Sequence, residues 1–176
     1  SYNQLAWWDG ESDTVVVADT SNDQDDIWAG GGRISAWIYP YGIGENNDGR
    51  ILDKSSTVDG ENGWHIKTTD ESGSTCTIGF QKGHSTTDGI WKTTNRVITY
   101  GKWYHVVVSY NHASASNNPE IFINGEEVAV TQSQAPNGSP ESDASQPLNI
   151  GNRSGATDRT FDGTITEVSI WNETFS

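Results

Sequence analysis

A run of oxygen-bearing side chains near the N-terminus has the chemistry of a cation site. Residues 19–26 read DTSNDQDD, so positions 19, 21, 23 and 25 carry side-chain oxygens at alternate places. Ca²⁺ takes hard oxygen ligands in proteins, and this spacing lets a loop wrap around an ion. The segment is not an EF-hand, because Gln24 stands at its sixth position and Gly30 at its twelfth. Considered alone, it is interpreted first as a solvated acidic loop.

Further acidic residues strengthen the calcium hypothesis. Residues 9–26 contain seven carboxylates and no base. Such a run repels itself unless a cation neutralises it. The predicted metal ligands in this part of the chain are therefore Asp9, Asp19, Asp23 and Asp25.

Three aromatic residues in polar surroundings are candidates for stacking against sugar rings. Trp28 follows the acidic run, Tyr41 follows a proline, and Trp91 lies in a polar segment close to His84 and Asp88. The last two residues supply groups that hydrogen-bond to hydroxyls. All five are predicted to form a ligand surface, and aromatic residues that only cap the edge of the fold are the alternative. The tryptophans predicted to lie in the core are Trp37, Trp64, Trp103 and Trp171.

The composition excludes several classes of protein. The 176 residues carry 10 Lys and Arg against 24 Asp and Glu, a net charge of -14. A field of this sign repels nucleic acid and anionic membrane surfaces. The apolar runs are far shorter than the roughly 20 residues of a membrane-spanning helix, and the residues after Ser1 lack the basic-then-apolar pattern that is typical of a signal peptide. We expect one soluble domain over residues 1–176, cut from a larger protein.

The pattern of apolar residues predicts an all-β fold to position these side chains. Alternation with period two runs through the chain, and no segment has a helical spacing of useful length. Residues 19–32 and 133–146 lack alternation and are predicted to be loops. The predicted strands are 4–8, 14–18, 33–39, 50–54, 64–68, 75–81, 96–100, 103–110, 120–124, 127–131, 148–151 and 164–171.

Asx-Gly pairs between the strands indicate tight turns. Asn124-Gly125 is the clearest of them, because it joins the β-branched segments 121–123 and 128–130. This pair accepts the positive φ angles of a two-residue hairpin turn. The single cysteine, Cys76, shares a strand face with Ile78 and Phe80, so we expect its thiol to be buried.

Motifs in a fixed order resemble those of the laminin G-like, concanavalin A-like jelly rolls. The resemblance covers nearly the whole chain and implies two antiparallel sheets in a sandwich, with the first and last strands adjacent. It also implies a range of functions, since members include sugar-binding modules, adhesion domains, glycoside hydrolases and polysaccharide lyases. The matching segments are WDG at 8–10, SAWIYP at 35–40, ILDK at 51–54, GW at 63–64, GKWYHV at 101–106, IFING at 121–125, LNIG at 148–151, FDGTITEV at 161–168 and WN at 171–172.

The same resemblance implies a second way to bind calcium. Several members hold the ion near the chain ends with an acidic residue where this sequence has Thr166. The departure weakens that expectation, although carbonyl groups of the Asp9-Gly10 and Asp162-Gly163 turns remain as ligands. Asp162 therefore joins the predicted metal ligands.

The sequence does not carry the catalytic patterns known for this fold. A retaining glycosidase needs two carboxylates about 5 to 5.5 Å apart, which related hydrolases place as ExDxxE on one strand. The nearest match, ESDTVV at 11–16, lacks the final Glu, and the motifs of related alginate lyases are missing. The four histidines are interpreted as structural, because no nucleophile or paired carboxylate stands beside them. We therefore expect no catalytic residues.

Two functions remain after these exclusions. The first is a non-catalytic, calcium-assisted carbohydrate-binding or adhesion module that recognises a glycan or cell-surface polysaccharide in an extracellular, cell-surface or virion-surface protein. The second is a structural or protein-interaction domain that contacts other domains of the parent protein. A hydrolase or lyase with an unfamiliar site is a weaker third possibility. A groove with polar residues favours sugar, and a contiguous apolar patch favours protein.

Overall fold

A computed structural model describes residues 6–17, 23–56 and 62–174, which form fourteen β-strands and one short 3-10 turn, Glu45–Asn47. This turn is the longest helical piece in those three ranges, so they contain no helix that could span a membrane. The strands are β1 (Ala6–Asp9), β2 (Val15–Val17), β3 (Gly32–Pro40), β4 (Arg50–Lys54), β5 (Trp64–Ser72), β6 (Thr75–Lys82), β7 (Gly89–Thr93), β8 (Ile98–Thr99), β9 (Tyr104–Tyr110), β10 (Glu120–Ile123), β11 (Glu126–Val128), β12 (Val130–Gln134), β13 (Leu148–Ile150) and β14 (Asp162–Trp171).

The strands form two antiparallel sheets, which confirms the predicted jelly-roll sandwich. The six-stranded sheet has the order β1-β14-β3-β9-β10-β11. The eight-stranded sheet has the order β12-β7-β6-β5-β4-β13-β2, and β8 pairs with β6 at its side. The first and last strands are neighbours, as the resemblance implied, with Trp7 opposite Thr164.

One apolar core fills the space between the sheets. Leu52, Ile66, Phe80 and Trp91 are successive partners across β4, β5, β6 and β7, and all are buried. Because side chains alternate between the faces of a strand, their sequence neighbours point to the outer face of the eight-stranded sheet. The six-stranded sheet contributes buried residues such as Ile38 of β3 to the same core.

A buried lysine fastens two loops over one end of the sandwich. Lys54 Nζ donates to Asp25 Oδ1 at 2.8 Å and to the carbonyl oxygens of Asp143 and Gln146 at 2.9 and 2.8 Å. Three acceptors satisfy the three donors of an ammonium group, which offsets the cost of burying its charge. Trp28 lies beneath these loops, with its ring 5.5 Å from that of Trp64.

The structure corrects the strand pattern in two places. Gly89–Thr93 forms β7, although only a polar turn was expected around Trp91. The predicted strand 127–131 is divided between β11 and β12, which lie in different sheets and are separated by Ala129 alone. The Asn124-Gly125 hairpin is confirmed, with Ile121 opposite Val128, and Cys76 is buried as expected.

Candidate functional site

Two of the predicted ligand aromatics lie in the core, so the expectation that they are exposed was wrong. Trp28 and Trp91 are both 0% exposed. Trp28 packs against Trp64 and Phe80, while Trp91 points inward from β7 and stacks on Phe80 with the ring centroids 5.9 Å apart. The Trp91 indole Nε1 donates to Asn118 Oδ1 at 2.8 Å, so its polar edge is satisfied inside the protein. Neither ring is available to stack on a sugar.

The exposed aromatics lie instead on the outer face of the six-stranded sheet. Trp64 is buried as predicted, but Trp37, Trp103 and Trp171, also expected in the core, are exposed. With Trp7, which is 63% exposed, and Tyr39 they form what we call the aromatic face. Tyr41, the third predicted ligand aromatic, is exposed at its edge against Tyr39, with the rings 5.2 Å apart.

The structure brings His84 and Asp88 together in a polar cleft. The cleft has a volume of about 500 Å³ and lies where the β6–β7 connection meets the segment that follows β12. Hydroxyl, amide, imidazole and carboxylate groups line it, which is the chemistry of a ligand rich in hydroxyl groups. The lining residues are Asn62, His84, Ser85, Thr86, Thr87, Asp88, Gln134 and Glu141.

Backbone pairing fixes the two walls of the polar cleft. His84 bridges to Pro140 and Thr87 bridges to Asn137, both in antiparallel fashion. The Asn137 N–H donates to the Thr87 carbonyl at 2.8 Å, and the Ser85 N–H donates to the Ser139 carbonyl at 2.9 Å. The two segments therefore hold each other in place although neither belongs to a regular strand there.

Asp88 organises the floor of the polar cleft. One carboxylate oxygen accepts from the backbone N–H of His84 at 3.0 Å, and the other accepts from Gln81 Nε2 at 3.0 Å. Gln134 Nε2 donates to the Asp88 carbonyl at 2.9 Å. Asp88 is thus a positioning residue, because its oxygens are engaged before any ligand arrives.

His84 is held as a neutral imidazole. Burial is the main cause that lowers its pKa, so the ring is uncharged at neutral pH. Its Nδ1 lies 3.1 Å from the Lys82 carbonyl, and an N–H there donates to that oxygen. The remaining ring nitrogen, Nε2, is then an acceptor for a ligand hydroxyl.

A polar row continues from the cleft across the outer face of the eight-stranded sheet. Gln81, His65, Asp53 and Asn149 are successive partners on β6, β5, β4 and β13, and all four are buried. Both ring nitrogens of His65 lack a hydrogen-bond partner among the residues that the structure describes. Nothing in the sequence pattern predicted this row, because alternate polar residues in a strand are usually solvated.

The predicted metal ligands do not converge. Asp25 binds the Lys54 ammonium, whereas Asp9 and Asp162 face each other at the end of β1 and β14. Loss of hydration, followed by the charge of Asp9, raises the pKa of Asp162. Asp19 lies outside the described residues and Asp23 is exposed.

The part of the chain that the structure describes contains no group of three or more His, Cys, Asp or Glu suited to a metal. The Asp9 and Asp162 pair offers two carboxylates, fewer oxygens than the six to eight that Ca²⁺ takes. Calcium binding stays a prediction.

Comparison with solved structures finds the same architecture in distant proteins. The Ruminococcus gnavus IT-sialidase CBM40 bound to α2,3 sialyllactose aligns with a TM-score of 0.67 at 12% identity, over 98% of this chain and 93% of that one. A Bacteroides ovatus ATCC 8483 protein provisionally described as carbohydrate-binding gives 0.65 at 16% identity, over 99% of this chain. The binding domain of Botulinum neurotoxin DC in complex with rat synaptotagmin II gives 0.58 at 13% identity, over 99% of this chain. This chain spans only 44% of the length of each of the last two.

Sequence comparison gives the family. No curated protein matches the chain. A family model described as the concanavalin A-like lectin/glucanases superfamily, of the laminin G type, matches residues 7–176. This match covers nearly all of the sandwich, so the chain belongs to the concanavalin A-like lectin/glucanases superfamily.

Proposed function

We propose that this chain is a non-catalytic carbohydrate-binding module that holds a glycan in the polar cleft. The observation that carries the proposal is the cleft itself, a space of about 500 Å³ lined by hydroxyl, amide and carboxylate side chains. The sialyllactose-bound CBM40 of similar fold supports it, as a protein of the same architecture whose ligand is a saccharide.

Hydrogen bonds supply the recognition in this cleft. Ser85, Thr86 and Gln134 are exposed on its walls, and Glu141 supplies a carboxylate whose Oε2 already accepts from the Asn62 N–H at 2.9 Å. Each neutral hydrogen bond contributes only about 0.5–1.5 kcal/mol net. Among the residues described, no Phe, Tyr or Trp ring lines the cleft, so a single site is expected to bind a glycan weakly. Several copies of the module bound to one glycan chain would raise the overall affinity.

The setting of the module follows from the ligand. We place it in an extracellular, cell-surface or virion-surface protein, where glycans and cell-surface polysaccharides are met. Calcium assistance belongs to the same proposal, and it draws on the acidic residues before β3 and on the facing pair of Asp9 and Asp162.

A glycan array followed by calorimetry on the best ligand tests the proposal. We expect the wild type to bind and Gln134→Ala to bind at least about fivefold more weakly. The variant loses a side chain that contacts the ligand, and it also loses the hydrogen bond that Gln134 Nε2 donates to the Asp88 carbonyl. Gln132→Ala is the matched control, since Gln132 is exposed on the same strand and bonds to Asn118 outside the cleft.

Two additions complete the design. Repeating the array with a chelator tests the calcium assistance, and an assay for new reducing ends tests the non-catalytic status, with none expected. Absence of binding to every glycan in both conditions would contradict the module hypothesis.

The aromatic face favours a second candidate, a protein-interaction domain. Protein surfaces rarely leave this many tryptophan rings in water without a partner. The ring of Trp37 lies 5.2 Å from that of His105 and is tilted against it, and Arg33 lies 4.8 Å above the Trp171 ring, so both indoles have neighbours on the face. The face lies on the other sheet from the polar cleft, so the two functions are compatible.

A further inference from the structure

The few cations of this acidic protein are concentrated on one face. The chain has 10 Lys and Arg in all. Three of them lie on the outer face of the eight-stranded sheet, and three more lie in adjoining loops and bind carboxylates on the same side. These six residues are Arg50, Lys67, Lys92, Arg96, Arg153 and Arg159.

The three strand cations share one cross-strand row, which we call the basic row. Arg50 is the partner of Lys67, Lys67 is the partner of Gly79, and Gly79 is the partner of Lys92. Lys67 and Gly79 stand two residues along their strands from His65 and Gln81, so the basic row follows the polar row on the same face at about 7 Å. Gly79 has no side chain, and the Lys67 side chain lies over it, since a Cβ atom there would be 3.2 Å from Lys67 Cγ.

Cations outnumber the carboxylates that they contact. Lys67 Nζ lies 2.7 Å from Asp48 Oδ1, and Arg50 and Arg159 approach Asp48 Oδ2 at 3.2 and 3.3 Å. One carboxylate thus receives three cations, although Arg50 also reaches the buried Asp53 at 3.3 Å.

The same imbalance recurs further along the face. Asp70 binds Lys92 and Arg96 at once, each at 2.7 Å. Arg153 pairs with Asp158, which also lies 3.6 Å from Arg159. In these ion pairs among the residues described, Asp48 and Asp70 are each shared by more than one cation, in a molecule whose net charge is -14.

Part of the positive charge on this face is accessible to solvent. The side chains of Lys92 and Arg96 are 34% and 38% exposed, and those of Lys67 and Arg159 are 17% and 19% exposed. Burial is the main cause that lowers the pKa of Lys67, and the charge of Arg50 acts in the same direction. An incoming anion would relieve that repulsion between cations.

From these contacts we propose that the saccharide bound on this face is anionic, and that its carboxylate or sulfate groups lie on the basic row. The inference rests on the proposed function and specifies its ligand class. The strands β6 and β7 connect the two regions, because their turn forms one wall of the polar cleft and Gly79 and Lys92 lie further along the same strands. A chain of sugars that leaves the cleft across these strands meets Lys92 and then Lys67.

Binding of defined polysaccharides tests this proposal. The probes are polygalacturonate, which carries carboxylates, chondroitin sulfate, which adds sulfate groups, and dextran, which is neutral. We expect at least one acidic probe to bind the wild type at least tenfold more tightly than dextran, and to weaken as NaCl rises from about 50 to about 300 mM. Comparison of the two acidic probes tells which anionic group is preferred.

Charge-neutralising variants connect the preference to the basic row. Lys92→Gln should reduce affinity for the bound acidic probe about tenfold, because a hydrogen bond between an ammonium and an anion is stronger than one between neutral groups. Lys67→Gln should do the same, and Lys92→Gln keeps the test valid if the more buried Lys67 variant is unstable. Lys102→Gln is the control, since Lys102 is exposed beside Trp103 in the connection that leads into β9 of the other sheet.

The outcomes separate the two proposals. Equal binding of dextran and acidic probes, or equal loss in the Lys92 and Lys102 variants, overturns the anionic ligand class. If Gln134→Ala still weakens dextran binding in that case, the carbohydrate-binding function stands alone. No binding of any probe in the panel overturns the anionic proposal, and the glycan array then decides the function.

Discussion

At the scale of single residues, Asp53 and His65 show what burial does to ionisable groups in the polar row. Loss of hydration is the main cause that raises the pKa of Asp53 to about 6, against the pull of Arg50 and the hydrogen bonds from Ser55. The same loss of hydration lowers the pKa of His65 well below its ordinary value, and the charges of Arg50 and Lys67 add to it. The outer face of the eight-stranded sheet therefore carries a neutral imidazole and a carboxyl that resists ionisation.

Asp53→Asn is predicted to gain stability relative to the wild type as the pH rises from 4 to 7. A carboxyl whose folded pKa is about 6 instead of 3.8 stabilises the fold while protonated and loses that contribution as the pH rises through 6. Asn imitates the protonated form at every pH. The relative gain should be roughly 2–3 kcal/mol, at about 1.4 kcal/mol for each pKa unit. Urea unfolding of both proteins at pH 4, 5.5 and 7 measures it.

Asp70→Asn serves as the control of opposite sign. Hydrogen bonding to Lys92 is the first cause that lowers the pKa of Asp70, so this carboxylate stabilises the fold when ionised. The Asp70→Asn variant should lose stability relative to the wild type over the same pH range. A pH profile of Asp53→Asn parallel to that of the wild type would show that Asp53 is ionised with its ordinary pKa.

At this scale the sequence indicated that His84 and Asp88 lie together, and it misplaced two of the aromatic residues. His84 and Asp88 were chosen for their polar surroundings, and both line one cleft. Trp28 and Trp91 were chosen for the same reason, but their polar neighbours are turns that close over an apolar interior. Polar neighbours in the sequence indicate that the backbone is near the surface. They do not tell whether a large ring points into the core or into solvent, which depends on the sheet face on which the residue lies.

At the scale of elements, the strand pairs were predictable wherever two alternating segments flank a tight turn. The β10–β11 hairpin follows directly from Asn124-Gly125, since Asn124 takes the positive φ of 54° that this turn needs. The position of β7 was not predictable, because Gly89–Thr93 is short and its two large apolar residues, Ile90 and Trp91, are adjacent and do not alternate. The transfer of the chain from β11 to β12 depends on contacts between sheets, which a local pattern cannot express.

Gly151→Ala is predicted to destabilise the fold by about 3 kcal/mol or more. Gly151 follows β13 with a φ of 82°, and a Cβ atom there would lie 1.7 Å from Trp8 Nε1. The variant therefore strains the backbone and displaces the indole that connects β1 to the core. Gly125→Ala is the matched control, with a φ of 84° but open space around it, and should cost about 1 kcal/mol. Urea unfolding distinguishes the two, and equal losses would mean that Trp8 moves aside freely.

At the scale of the whole molecule, charge and aromatic residues are each sorted by face. The net charge of -14 can be counted from the sequence, but the collection of six cations on the outer face of the eight-stranded sheet and in its adjoining loops cannot. The basic row within this collection arises from strand register. Arg50, Lys67 and Lys92 come from three different strands, and the apolar residues on the opposite face of those strands set how the strands align. The fold class was predictable because alternation and ordered motifs extend over the whole chain, whereas the sites depend on contacts between distant segments.

The separation of buried from exposed tryptophans also predicts two populations in the intrinsic fluorescence of the protein. Of eight tryptophans, Trp8, Trp28, Trp64 and Trp91 are buried, and Trp7, Trp37, Trp103 and Trp171 face solvent on one sheet. Iodide should therefore quench about half of the intrinsic emission, that of the red-shifted indoles in water. A glycan in the polar cleft should leave this quenchable fraction unchanged, whereas a protein on the aromatic face should shield it. Stern–Volmer plots with and without a ligand thus report which sheet is covered, and quenching that falls on glycan binding would place the sugar on the six-stranded sheet.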